Sequence, residues 1–158
     1  MKEIKKILWP TDLSENSAVA LPLVTSLSQK YGAEIHLVFV AEDIEQVVNF
    51  YGQDHPGPVK EFREWVIKKA QQRMEQICHS ELGGCPLYHK RILVGDPAQE
   101  ILKYVEQEGI DLVVMATHGH GSSSHEHLPG QAVFGSVSEE VVKNSPVPVL
   151  TVTPPRNR

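Results

Sequence analysis

The segment from Met115 to Ser138, Met-Ala-Thr-His-Gly-His-Gly-Ser-Ser-Ser-His-Glu-His-Leu-Pro-Gly-Gln-Ala-Val-Phe-Gly-Ser-Val-Ser, concentrates side chains that can do chemistry. Glycines let a backbone approach a phosphate closely, and a helix N-terminus offers unpaired N–H groups and a positive dipole end. Gly135-Ser136-Val137-Ser138 opens a helical pattern with small hydroxyl residues, which suits an anion; a tight turn uses the same residues. Four histidines crowd the same segment, His118, His120, His125 and His127, with Glu126 between the last two. Imidazole and carboxylate suit Zn²⁺, Ni²⁺ or Cu²⁺. Their Gly and Ser neighbours predict a loop rather than a His-Glu-x-x-His helix, so the other reading is a polar insertion with His118 and His120 turned toward phosphate. In Trp9-Pro10-Thr11-Asp12-Leu13-Ser14, Asp12 can accept hydrogen bonds from a sugar hydroxyl or cap the following helix. Cys78-His79 and Cys85-x3-His89 offer a four-ligand metal set, but Cys78 lies beside Ile77 on an apolar stripe, which predicts a buried thiol. Neither Gly-x4-Gly-Lys-Ser/Thr nor a Gly-x-Gly-x-x-Gly after the first strand occurs, which excludes ordinary P-loop and dinucleotide readings.

These residues need elements to hold them. Short apolar runs at 4–9, 34–40, 88–94, 110–116 and 147–152 are rich in Val, Ile and Leu, as strands buried on both faces are. Between them, apolar residues recur at helical spacing: Ala18, Leu21, Val24, Leu27 and Tyr31; Phe62, Val66, Ala70, Met74 and Ile77; Ala98, Ile101, Leu102 and Val105; Val137, Val141 and Val142. Ser14 suits the N-cap of the first helix and Gly32 its end. Asp96-Pro97-Ala98-Gln99 reads as a capping box with proline in the first turn. Pro22 is expected to kink the first helix. Alternating strands and helices specify a parallel doubly wound sheet with helices on both faces, whose ligand lies beyond the carboxyl ends of the strands. The segment 43–58, after the second strand, reads either as a lid or as a plain surface excursion. Pro146 and Pro148, two apart in the last strand, predict an edge position.

The 158 residues fit one domain, and 41% hydrophobic with 22% charged residues excludes disordered and fibrous classes. A net charge of −5 gives no electrostatic footprint for nucleic acid or anionic lipid. No apolar run reaches the roughly 7–15 residues of a signal peptide or the roughly 20 of a membrane helix, and two cysteines suit a reducing compartment. A cytoplasmic protein without membrane or nucleic-acid partners is expected.

Several separate blocks, in order, resemble the universal stress protein family. They are Ile-Leu-Trp-Pro-Thr-Asp-Leu-Ser-Glu-Asn-Ser, Val-Gly-Asp-Pro-Ala-Gln-Glu-Ile, Asp-Leu-Val-Val-Met-Ala-Thr-His-Gly and Gly-Ser-Val-Ser-Glu-Glu-Val-Val followed by Pro-Val-Pro-Val-Leu. The resemblance implies one domain over residues 1–158, an α/β Rossmann-like fold with five parallel strands in the order 3-2-1-4-5, and a His-rich loop insertion at about 120–130. It also implies a homodimer through the last strand, from Val147 to Val152. Many family members bind ATP or AMP through Gly-x2-Gly-x9-Gly-Ser/Thr, so ATP or AMP, with Mg²⁺ as a candidate companion ion, is the implied cofactor. Carried onto this chain, the motif supplies Gly119 and Gly135-Ser136, with Ala116 in place of the first glycine and fifteen residues, His120 to Phe134, where the family has nine. A methyl group forbids few backbone states unless φ must be positive, and extra loop length costs little entropy. By the resemblance Asp12, with Pro10 and Thr11, meets the ribose or adenine region, Val40 and Met115 the adenine, and Gly119, Gly135, Ser136 and Ser138 the phosphates. Ala116, His118, His120 and Val137 complete the implied site. The implied role is stress-response sensing through nucleotide occupancy. Two other readings stand beside it. One is a slow ATP hydrolase, with Asp12 placing Mg²⁺ and a loop histidine as base, although no fixed nucleophile–base pair is legible. The other is a non-nucleotide member whose His-rich loop contacts a protein partner or a metal.

Overall fold

The computed structural model describes residues 2–43, 57–83, 87–118 and 134–155. Its elements run β1 (Lys6–Pro10), α1 (Glu15–Ala18), α2 (Leu21–Tyr31), β2 (Glu34–Ala41), α3 (Gly57–Ser80), β3 (Tyr88–Val94), α4 (Pro97–Glu108), β4 (Leu112–Ala116), α5 (Ser136–Asn144) and β5 (Val149–Val152). The five strands form one sheet in the order β3-β2-β1-β4-β5, and every pairing is parallel. The winding reverses between β1 and β4, which opens the crevice at their carboxyl ends.

The strand sequences explain both layers. Successive side chains point to opposite faces, so Ile7 and Trp9 of β1 enter one core and Leu8 the other. The first core adds Val24 of α2 and Met74 and Ile77 of α3; the second adds Ile101, Tyr104 and Val105 of α4 and Val141 of α5. Interior strand β4 is buried along its whole length, whereas β3 is largely exposed. The expectation of burial on both faces therefore fails for β3, because it is an edge strand and lacks a neighbour on one side. At the opposite edge, β5 starts at Val149, after both prolines, and the Pro148 carbonyl accepts a hydrogen bond from the Val113 amide at 3.0 Å.

Helix ends follow local chemistry. Ser14 caps α1, its hydroxyl accepting from the Ser17 amide, and Asp96 caps α4 by accepting from the Gln99 amide. Gly32 and Gly109 end α2 and α4 in the left-handed conformation, at φ 63° in both cases. Pro22 kinks nothing. The chain breaks after α1, and α2 restarts at Leu21, which places Pro22 in its first turn, where an N–H would have no intrahelical partner. Among the described residues no helix is long and apolar enough to cross a membrane.

Asp111 pins the start of β4 to the start of β1. Its Oδ2 accepts from the Lys5 and Lys6 amides, each at 3.0 Å, and its Oδ1 meets Lys2 Nζ at 3.1 Å. Burial works against the carboxylate, yet the Lys5 amide, the Lys2 ammonium and the Lys6 amide together hold its pKa below the ordinary value. A depressed carboxyl contributes stability that is complete above about pH 4 and is lost as pH falls through the lower folded value. Asp111→Ala is expected to lower the unfolding free energy by about 2 kcal/mol in neutral urea titrations. The deficit shrinks in acid, once pH falls below the lowered folded value and the wild-type carboxyl protonates as well. An equal deficit at neutral and acid pH would refute the charge account.

Candidate functional site

At the carboxyl ends of β1, β2 and β4 lies a cleft of ≈790 Å³, a volume typical of small-molecule sites. The sheet supplies its floor through Pro10, Val38, Val40, Met115 and Ala116. The loop after β1 supplies Thr11, Asp12 and Leu13, and the start of α5 supplies Gly135, Ser136, Val137 and Ser138. Helix α3 closes one side with Phe62, Arg63, Trp65, Lys69 and Arg73.

The β1 loop is held by its own short polar side chains. Asp12 Oδ1 accepts from the Ser14 amide at 3.0 Å and the Ser14 hydroxyl at 2.5 Å, so the carboxylate stabilises the turn while Ser14 caps the helix. The Thr11 hydroxyl meets that of Ser17 at 2.6 Å and accepts from the Leu13 amide at 3.0 Å. Leu13 adopts φ 65°, the single non-glycine residue with positive φ among the described residues. Such a conformation costs of order 1–3 kcal/mol and persists only where its surroundings enforce it; here the neighbouring hydroxyls and carboxylate do.

Opposite, the end of β4 is tied to the start of α5. The Gly135 amide donates to the Thr117 carbonyl at 2.7 Å, and the Ser138 hydroxyl donates to the carbonyls of Thr117 at 2.7 Å and Gly135 at 3.0 Å. Helix α5 therefore begins at the cleft wall with no side-chain cap on its first turn. Its first amides have no intrahelical partner and carry the positive end of the helix dipole. Ala116 lies within β4 as the register partner of Val152, so its methyl group meets no backbone conflict. Thr117 Oγ1 and His118 Nδ1 are 2.8 Å apart, but Thr117 is 2% exposed and so is not presented as a nucleophile.

Of the residues expected from the sequence, Pro10, Thr11, Asp12, Val40, Met115, Ala116, His118, Gly135, Ser136, Val137 and Ser138 all border this cleft. Gly119, His120, His125 and His127 lie outside the described residues, as do the insertion at 120–130, Cys85 and most of the segment 43–58. Cys78 packs in the core beside Met74 and Ile77, and burial raises its thiol pKa, which disfavours the thiolate a metal would need. The sequence reading missed Arg63, Lys69 and Arg73, which share the cleft-facing side of α3 with Val66 and Ala70. The offset of three that separates each of them from Val66 or Ala70 was the available signal. It also missed Glu34 and His36 and grouped His89 with the cysteines; the structure instead brings Glu34, His36 and His89 together, the one group of potential metal ligands among the described residues.

A family model described as "Universal stress protein family" matches residues 3–153. Universal stress protein MJ0531 of Methanocaldococcus jannaschii is 31% identical over 153 residues, covering 96% of this chain and 84% of that protein. Universal stress protein MJ0577 of the same organism is 32% identical over 161 residues, 94% of each chain. The solved structure of MJ0577 matches this fold with a TM-score of 0.81 at 31% identity, over 99% of this chain and 100% of that one. A universal stress protein family protein from Arabidopsis thaliana, solved with AMP bound, shares the fold at TM-score 0.61 and 20% identity, over 97% of this chain and 92% of that one.

Proposed function

The chain belongs to the universal stress protein family, and from that premise we propose that it binds ATP or AMP in the cleft at the carboxyl ends of β1 and β4, with occupancy as its regulatory signal. The observation that carries the proposal is the convergence of an apolar floor, a polar β1 loop and an uncapped helix start on one cleft of ≈790 Å³. In this reading Val40, Met115 and Ala116 pack against adenine, Thr11 and Asp12 meet the ribose, and Gly135, Ser136 and the first amides of α5 receive phosphate, with His118 from the β4 side. Arg63, Lys69 and Arg73 add positive charge along α3, suited to a polyphosphate chain or to Mg²⁺-bridged oxygens. The AMP-bound relative of the same fold supports adenosine as the shared part of the ligand. A homodimer through the β5 edge, in a cytoplasmic setting, completes the proposal; the side chain of Leu150 is exposed there.

The test is isothermal titration of ATP·Mg²⁺ and, separately, AMP into metal-stripped protein. Micromolar binding of either nucleotide is the expected result. No heat at millimolar concentrations of both would overturn the proposal and favour an interaction module without a nucleotide.

A further inference from the structure

The amino ends of β2 and β3, at the opposite end of the sheet from the cleft, hold a second constellation. His36 and His89 are register partners on adjacent parallel strands, and Glu34 precedes His36 by two residues, so all three side chains share one face. Glu34 Oε2 lies 3.5 Å from His36 Nε2 and 3.5 Å from His89 Nε2, and ligand atoms from the three residues fall within 4.8 Å of one another. The imidazoles sit with ring centroids 4.8 Å apart and tilted by 37°. Two nitrogens and an oxygen at bonds of about 2.1 Å to a tetrahedral ion are separated by about 3.4 Å. The 3.5 Å separations of Glu34 Oε2 from both Nε2 atoms match that requirement.

Burial adds an independent argument. His36 is 4% exposed, and its Nε2 makes no hydrogen bond among the described residues. Its other nitrogen is engaged, since Nδ1 lies 2.8 Å from the Tyr104 hydroxyl of α4. In the tautomer whose Nδ1–H donates to the Tyr104 hydroxyl, Nε2 presents a lone pair toward the Glu34 carboxylate, also an acceptor. Two facing acceptors are stabilised by a cation between them. Lys6, the register partner of Glu34 on β1, has its ammonium on the Glu108 carbonyl at 3.0 Å. Outer-shell bonds of the Tyr104 kind fix the tautomer and orientation of metal-binding histidines. Glu34 and His89 are about one-third exposed, which gives an ion a route in and leaves its fourth position to water.

We propose that Glu34, His36 and His89 form a binding site for a divalent transition-metal ion of borderline softness, Zn²⁺ foremost, oriented by Tyr104. Two histidines and a carboxylate are a donor set suited to zinc with an open position. The ion bridges edge strand β3 to β2, so its occupancy couples metal availability to the exposed margin of the sheet.

The test uses full-length, metal-stripped protein in which His118, His120, His125 and His127 are replaced by alanine, so that the histidine-rich segment does not compete. Zn²⁺ titration by calorimetry is expected to show one equivalent bound at micromolar affinity or tighter, with Co²⁺ giving a d–d absorption band at the same stoichiometry. His89→Ala and Glu34→Gln, both at half-exposed positions, are expected to weaken Zn²⁺ binding at least tenfold with unchanged thermal unfolding in the metal-free state. Tyr104→Phe is expected to weaken it by about tenfold, the scale of a lost outer-shell partner; should that variant not fold, the two half-exposed variants decide alone. Absence of binding in the four-alanine background, or affinity unaltered by both His89→Ala and Glu34→Gln, would overturn the proposal.

Discussion

Gly135→Trp is expected to weaken ATP·Mg²⁺ binding at least 100-fold, while Gly135→Ala stays within about fivefold of wild type. The backbone permits both side chains, because Gly135 sits at φ −67° and ψ 161°, an extended conformation open to any residue. A Cβ there would lie 3.4 Å from the Thr117 carbonyl oxygen, 3.7 Å from the Ser138 hydroxyl and 3.9 Å from His118 Cα, all ordinary contacts. Alanine therefore fits the wall. An indole at 135 is expected to reach into the cleft that Gly135 lines, where the proposed nucleotide sits. A 100-fold loss corresponds to about 2.7 kcal/mol, which a bulky group displacing phosphate contacts readily supplies. Calorimetric titration of the two variants beside wild type reads the effect, and an unchanged thermal midpoint establishes that the tryptophan blocks rather than unfolds. Undiminished affinity in Gly135→Trp would remove the nucleotide from this cleft. An equal loss in Gly135→Ala would instead mean that phosphate rests directly on the Gly135 Cα.

The contrast between Gly135 and Arg73 shows which parts of the site are legible in a sequence. Gly135 follows an apolar strand and opens a helix, and in a doubly wound sheet strand ends converge, so local pattern places it. Arg73 is sixteen residues beyond Gly57, the start of α3, and enters the cleft wall because α3 overhangs the sheet. The apolar stripe Phe62, Val66, Ala70, Met74 and Ile77 explains how. Met74 and Ile77 are buried in the core, whereas Phe62 is 50% exposed and stacks on Trp65 with centroids 6.0 Å apart. The amino-terminal part of one periodic stripe thus faces the cleft while the rest faces the core, and periodicity alone does not divide them. The pairing of His36 with His89 was still less legible, because fifty-three residues separate them and register between strands β2 and β3 is a tertiary property. Asp12 occupies a middle ground. Its position was readable, but its part in fixing the turn through two bonds to Ser14 depends on the geometry of the loop. Caps fared better, since Ser14 and Asp96 act through amides three residues away and need no distant partner.

The central strand that positions Pro10, Thr11 and Asp12 depends on Trp9, and Trp9→Ala is expected to lower the unfolding free energy by about 3–5 kcal/mol. Trp9 is completely buried in the layer formed by β1, α2 and α3, with Met74 and Ile77 in the same cluster. Truncation removes a large apolar area and leaves a cavity beneath a close-packed sheet. The indole nitrogen makes no hydrogen bond among the described residues, so the contribution of this residue comes from its apolar bulk. A buried N–H without a partner carries a desolvation penalty of about 1–3 kcal/mol. Trp9→Phe discards that penalty together with part of the volume, and the two changes oppose each other. It is therefore expected to cost about 1 kcal/mol or less, far below the alanine variant. Urea titration of both variants measures the difference. A loss in Trp9→Phe comparable to that in Trp9→Ala would mean that the nitrogen contributes a hydrogen bond after all. Because Trp9 directly precedes the residues that line the cleft floor and β1 loop, Trp9→Ala is expected to weaken nucleotide binding along with stability. Trp9→Phe, which keeps β1 packed, leaves binding unchanged, so affinity across the pair follows the packing of β1 and not the presence of the indole N–H.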